Sequence, residues 1–192
     1  MPAQPKHRQA IVQAAAALLR RRGYAATGLN DIVARSGAPK GSLYHYFPRG
    51  KAQIGEAAVR AAGEVVRRTL EQIRAEAPDA AGLIGEYVRR LAGWMAQSGW
   101  RDGCPITTTL LETAADEPAI REAGQAAFAG WIAVMAQALR DDGVPPERAD
   151  RLAAFAISAL EGALVQARVE RAEAPILAAG EELAALFRGA AK

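Results

Sequence analysis

A chain of 192 residues, 51% hydrophobic and 23% charged, is long enough for one sizeable core or for a small head fused to a larger body. Ala and Leu dominate the apolar fraction, while β-branched and aromatic residues are few, a balance that favours helix over strand. The single cysteine, Cys104, excludes an intrachain disulfide and any cysteine-clustered zinc site. The polar opening is unlike a signal peptide, and no uninterrupted apolar run approaches the ~18 residues of a membrane span, so a cytoplasmic location is expected.

The formal charge of +3 conceals an asymmetry. Residues 1–60 carry ten Lys and Arg against Asp31 and Glu56, a net +8, whereas the remainder is net −5. A basic head on an acidic body points to a polyanion met by the head alone, although a merely solvated basic face has the same composition.

In chain order the pattern is helix after helix. Ile11, Ala14, Ala15, Leu18 and Leu19 form an apolar stripe over residues 6–22, closed by a basic last turn and Gly23. Thr27 is the expected N-cap of a short helix carrying Leu29, Ile32 and Val33 inward and ending at Ser36-Gly37. A third short helix is expected from Pro39, as its first residue, to Phe47. Helices over about 51–76, 79–98, 105–115, 118–140, 147–172 and 175–188 complete a count of nine helices and no strands.

The second and third helices, joined by Ser36-Gly37-Ala38, have the helix-turn-helix shape. In the third, Leu43 and Phe47 lie four apart and can face the core together. Lys40, Gly41, Ser42, Tyr44 and His45 are then left facing outward. They supply a cation for phosphate or guanine, a glycine that permits close approach, and polar groups for base edges.

The stretch TGLNDIVARSGAPKGSLYHYF, Thr27 to Phe47, closely resembles the DNA-binding signature of the TetR family of repressors, and Lys51 also matches it. GCPITTTLLE (Gly103–Glu112) and ISALEGALVQARVE (Ile157–Glu170) are similar to the C-terminal domain of the LmrA/YxaF-like branch. The resemblance implies an all-α, nine-helix TetR-like fold, with a three-helix DNA-binding head at 1–50 and a ligand-binding and dimerisation body at 51–192. It also implies phosphate contacts from Thr27, Lys40, Tyr46 and Lys51, and places Ser42, Tyr44 and His45 nearest the bases. Tyr46 could equally pack inward. Pro39 stands where many members have a Ser N-cap, which removes a side-chain cap and gives Lys40 more weight.

In the body, Tyr87, Leu91, Trp94, Met95, Trp100, Phe128, Trp131 and Met135 form an aromatic and thioether set that suits either a core or a ligand pocket. Thr108, Leu111, Glu112 and Glu161 are the further candidates, although either carboxylate could instead cap a neighbouring helix. The resemblance implies that a small aromatic or amphipathic effector lodges among the fifth to eighth helices and shifts the fourth. The penultimate helix is apolar nearly all round, which suits an interior helix or a dimer seam. Phe155, Ser158, Ala159, Gly162, Val165 and Val169, with Ile176, Leu183 and Phe187 of the last helix, are the expected homodimer interface.

No phosphate loop, HExxH or nucleophile–base constellation is present, so no enzyme, cofactor or metal is expected. The reading is a homodimeric, ligand-responsive repressor that binds a palindromic DNA operator. A helical ligand-binding protein without specific DNA binding, and an activator, are the alternatives.

Overall fold

The α1 stripe of Ile11, Ala14, Ala15, Leu18 and Leu19 is buried, and three consecutive arginines, Arg20–Arg22, meet the negative end of the helix dipole. This is a computed structural model in which residues 5–191 are described; the polar opening at 1–4 and Lys192 lie outside the described residues. Nine helices form among those residues, and no strand. They are α1 (Pro5–Arg22), α2 (Leu29–Ser36), α3 (Lys40–Tyr46), α4 (Lys51–Glu76), α5 (Ala80–Gln97), α6 (Pro105–Thr113), α7 (Pro118–Asp141), α8 (Pro146–Glu170) and α9 (Ala174–Ala190).

Two expected helix starts move by one residue. Gly28, not Thr27, caps α2; its N–H donates to Asp31 Oδ2 at 3.2 Å, because the Thr27 side chain is turned inward. Pro39 is the cap of α3, not its first residue. Gly37 ends α2 with φ +63°, a backbone conformation in which glycine alone carries no Cβ penalty.

One compact unit comprises the chain up to Glu64 together with Cys104–Ala127; the other comprises Val65–Gly103 together with the chain from Phe128. Compactness therefore does not divide the chain at residue 50. Ile54 and Ala58 of α4 close the head core around Leu43 and Phe47, and α6 packs on α1.

In the second unit α9 packs on both α5 and α8. Asp79 caps α5 through Gly82 N–H (2.6 Å), and Asp142 accepts Ala80 N–H at 2.8 Å. Arg74 pairs with Asp141 at 2.6 Å, and this guanidinium, with Gln137, holds the Asp141 carboxyl below its ordinary range. By length and composition α8 is the one described helix able to cross a membrane; here its Leu152, Ile157 and Leu160 are buried in the second unit.

Gly180 of α9 lies against the buried, β-branched Val88 of α5, where an added Cβ would stand 2.6 Å from Cγ1. Gly180→Ala should lower stability by about 1–2 kcal/mol, since overpacking outweighs the helix-propensity gain. Gly93→Ala on α5 meets open space and should gain up to about 1 kcal/mol. Urea unfolding of both variants checks the contrast, and equal shifts would refute it.

Candidate nucleic-acid interface

A helix of seven residues has little stability of its own, so α3 is held by what it buries. Leu43 and Phe47 are fully buried in the head core, with Ile32 of α2 beside them. The Arg8 guanidinium lies 5.5 Å from the Phe47 ring centroid. With those two side chains inside, the opposite strip of α3 faces solvent.

That strip contains Lys40, Gly41, Tyr44 and His45, with Ser42 half-buried at its edge. Tyr44 is 52% exposed, unusual for a large ring in a small head. Among the described residues no carboxylate pairs with Lys40, and a Cβ on Gly41 would meet nothing within 4 Å. Glycine is therefore not demanded there by the protein's own packing. The His45 ring stands edge-on to Tyr46, with centroids 5.1 Å apart.

The four residues expected at phosphates separate into two kinds. Lys40 is free. Thr27 is fully buried and its hydroxyl donates to Gly23 O at 2.7 Å, so it closes the α1–α2 turn and does not reach a phosphate. Tyr46 takes the inward alternative, half-buried against the head core with a buried hydroxyl that finds no hydrogen-bond partner among the described residues. Lys51 donates to Ala25 O at 3.3 Å and lies 4.3 Å from the Tyr24 ring centroid. Burial, reinforced by the charge of Glu117, pushes the Tyr24 phenol above its ordinary value. Arg8, Tyr24 and Asp31 were not singled out in the sequence; the position of Tyr24, directly after the turn glycine, was the available signal.

The candidate effector residues fall into both units. In the second, Tyr87, Leu91, Met95, Trp131 and Met135 are buried, and Phe128 meets Trp131 edge-on at 5.3 Å. Trp94 is 43% exposed, Trp100 and Glu161 are half-buried, and Trp100 has φ +62°, which strains a bulky residue. In the first unit Leu111 is 80% exposed and points away from any core. The Glu112 carboxylate accepts from the N–H groups of Tyr24 and Ala25, in the turn between α1 and α2, and so caps neither helix. The Thr108 hydroxyl donates to Cys104 O, at the start of its own helix, at 2.6 Å and reaches Leu19 O of α1 at 3.4 Å.

The candidate dimer residues also separate. Phe155, Ser158, Gly162, Val165 and Val169 of α8 are exposed, with Ala159 beside them half-buried. Ile176, Leu183 and Phe187 are instead core residues of the second unit, since α9 turns its large side chains toward α5 and α8.

A basic three-helix head, with a helix-turn-helix whose second helix presents a cation, a glycine and a bare aromatic ring, defines a DNA-binding regulator. Residues 11–58 match the model of the bacterial regulatory proteins of the tetR family, and residues 80–182 match that of the LmrA/YxaF-like transcriptional regulator C-terminal domain. The chain is 33% identical to the uncharacterized regulator YxaF of Bacillus subtilis over 94% of its own length and 95% of that protein's. It is 31% identical to the regulator LmrA of the same organism, over 88% and 90% respectively. The solved regulatory protein TetR from Rhodobacter sphaeroides superimposes with a TM-score of 0.81 at 27% identity, covering 92% of this chain and 96% of that one. The chain belongs to the TetR family of transcriptional regulators, with an LmrA/YxaF-like C-terminal domain.

Thr27→Val keeps the shape but removes the buried hydrogen bond to Gly23, and should cost about 1 kcal/mol of stability. Tyr44→Ala, at an exposed position, should stay within about 0.5 kcal/mol of the parent. Chemical denaturation separates the two roles; an unstable Tyr44→Ala would mean that the ring packs.

Proposed function

We propose that the chain is a dimeric repressor that binds a palindromic operator with its head and is released by a small aromatic or amphipathic effector held in its body. The observation that carries the DNA-binding part is the outward strip of α3, with Tyr44 bare and Lys40 unpaired among the described residues. Lys40 serves a phosphate or a guanine edge. Gly41 permits close approach, and Ser42, Tyr44 and His45 serve the bases. Residues 1–50 act as the reading head and 51–192 as the regulatory body. α4 is one uninterrupted helix with residues in both compact units, and so offers a covalent path from one to the other.

The dimer rests on α8. Its exposed residues Phe155, Ser158, Gly162, Val165 and Val169 are spaced three, four, three and four apart, the spacing of a helix–helix seam. Small residues at 158 and 162 allow close approach between large ones. Paired about a two-fold axis, two such chains present their α3 helices to half-sites one turn apart, ~34 Å on B-form DNA.

Duplex selection from a random pool, followed by salt titration of the winners, should enrich a palindrome. Lys40→Ala should lower the salt slope by about one phosphate contact, and Tyr44→Ala should relax base preference. Val165→Glu should turn the dimer into a monomer by sedimentation and abolish palindrome binding. Enrichment of nothing, or of a lone half-site by the parent chain, refutes the reading.

The effector reading rests on the buried set Tyr87, Leu91, Met95, Trp131 and Met135 with Phe128. A ligand acts only as far as it prefers the non-binding state of the dimer. An aromatic compound that releases the operator should quench intrinsic fluorescence in Trp94→Phe but leave Trp131→Phe silent. Release without any tryptophan response would place the effector elsewhere.

A further inference from the structure

Between α1 and α2 the chain turns through residues 23–28, where the run of helical hydrogen bonds is interrupted. Gly23 N–H returns to Leu19 O at 2.8 Å, with φ +79°. The next two N–H groups converge on one acceptor from another element, Glu112 of α6. Tyr24 N–H donates to Oε1 at 3.0 Å and Ala25 N–H donates to Oε2 at 2.6 Å. Successive N–H groups aimed at one anion make a nest, and such charge-assisted bonds are roughly twice as strong as neutral ones.

The same turn is held from its other sides. Lys51 of α4 donates to Ala25 O at 3.3 Å and stands over the Tyr24 ring. Thr27 returns its N–H to Tyr24 O at 3.1 Å and its hydroxyl to Gly23 O. A Cβ on Gly55 would lie 3.0 Å from Tyr24 Cε2 and 2.9 Å from Ile120 Cδ1, so the ring fills the space that this glycine leaves. A Cβ on Gly23 would lie 2.0 Å from Glu112 Oε1; the turn and the carboxylate are fitted to each other.

We infer that Glu112 is a positioning residue for DNA binding: by fixing the turn at Tyr24 and Ala25, it sets how α2 and α3 leave α1. The inference rests on the DNA-binding reading above. Glu112 bonds to the turn and not to a reading residue of α3, and its own charge repels DNA, so its two possible effects have opposite signs. Loss of the charge alone would tighten binding to every duplex. Loss of the position weakens only the binding that needs α3 correctly seated.

The test measures dissociation constants for the selected operator and for a scrambled duplex, using the full-length parent chain, Glu112→Gln and Glu112→Ala. Thermal melts and amide exchange at Tyr24 and Ala25 accompany them. Glu112→Ala should lose about tenfold in operator affinity, the scale of one charge-assisted hydrogen bond, with scrambled-duplex binding equal or tighter. Glu112→Gln should fall between the two, since its amide oxygen keeps one of the N–H partners. Exchange at both amides should quicken in Glu112→Ala. Should that variant be unfolded at the assay temperature, Glu112→Gln decides alone by the same comparison. Operator binding unchanged in the folded variants, or lost in step with scrambled-duplex binding, overturns the inference alone. A parent chain that selects no operator overturns the DNA-binding reading and the inference with it.

Discussion

The rotation of α3 about its axis is fixed by two side chains, and most of what the head can do depends on that. Leu43 and Phe47 are one turn apart and fully buried, and each contributes about 1.5–3 kcal/mol by leaving water. A helix of seven residues has almost no other source of order. A turn of one residue about the axis would carry Tyr44 inward and Leu43 outward, exchanging a buried apolar group for a phenol. The contacts that prevent it come from α1, α2 and the first turns of α4, whose Ile54 and Ala58 complete the same core. The reading surface is thus a consequence of the head core and needs no dedicated scaffold.

Charge over the first sixty residues is arranged by the two acidic residues there. Asp31 holds the start of α2 through Gly28 and lies 3.8 Å from Arg22. Glu56 takes both Arg49 and Arg60, at 3.3 and 3.2 Å. Pairs this exposed add little to stability. Their effect is on where positive charge is left unbalanced, and Lys40, at the first turn of α3, is one place where it is. The general excess of the first sixty residues attracts a polyanion from a distance, while on the proposed reading Lys40 and Tyr44 determine what happens at contact.

Much of this was legible in the sequence because it is periodic or punctuated. The α1 stripe, the i,i+4 pair of α3 and the glycines and prolines between helices each encode a local constraint. Facts that depend on which elements meet were not legible. Nothing in the run PITTTLLET says that α6 packs on α1, so Glu112 read as a ligand carboxylate and Leu111 as pocket lining. An apolar helix does not announce which face meets its own core; hence Ile176, Leu183 and Phe187 read as interface although they are interior. Hydroxyls mislead for a related reason. Thr108, Thr109 and Thr113 each donate to the carbonyl four residues back, so a threonine run on a helix says little about a ligand.

The economy of α3 bears on why α8 keeps an apolar face open. On the proposed reading Ser42, Tyr44 and His45 are the side chains aimed at bases, and each good base contact discriminates by about 1–3 kcal/mol. One head therefore supplies several kcal/mol at most, against competing sites numbering ~10⁶ or more in a genome. Two heads on a symmetric site double the discrimination without adding a reading residue. On the reading proposed here, the seam from Phe155 to Val169 is as much a part of sequence recognition as Tyr44, because it converts two weak readers into one selective one.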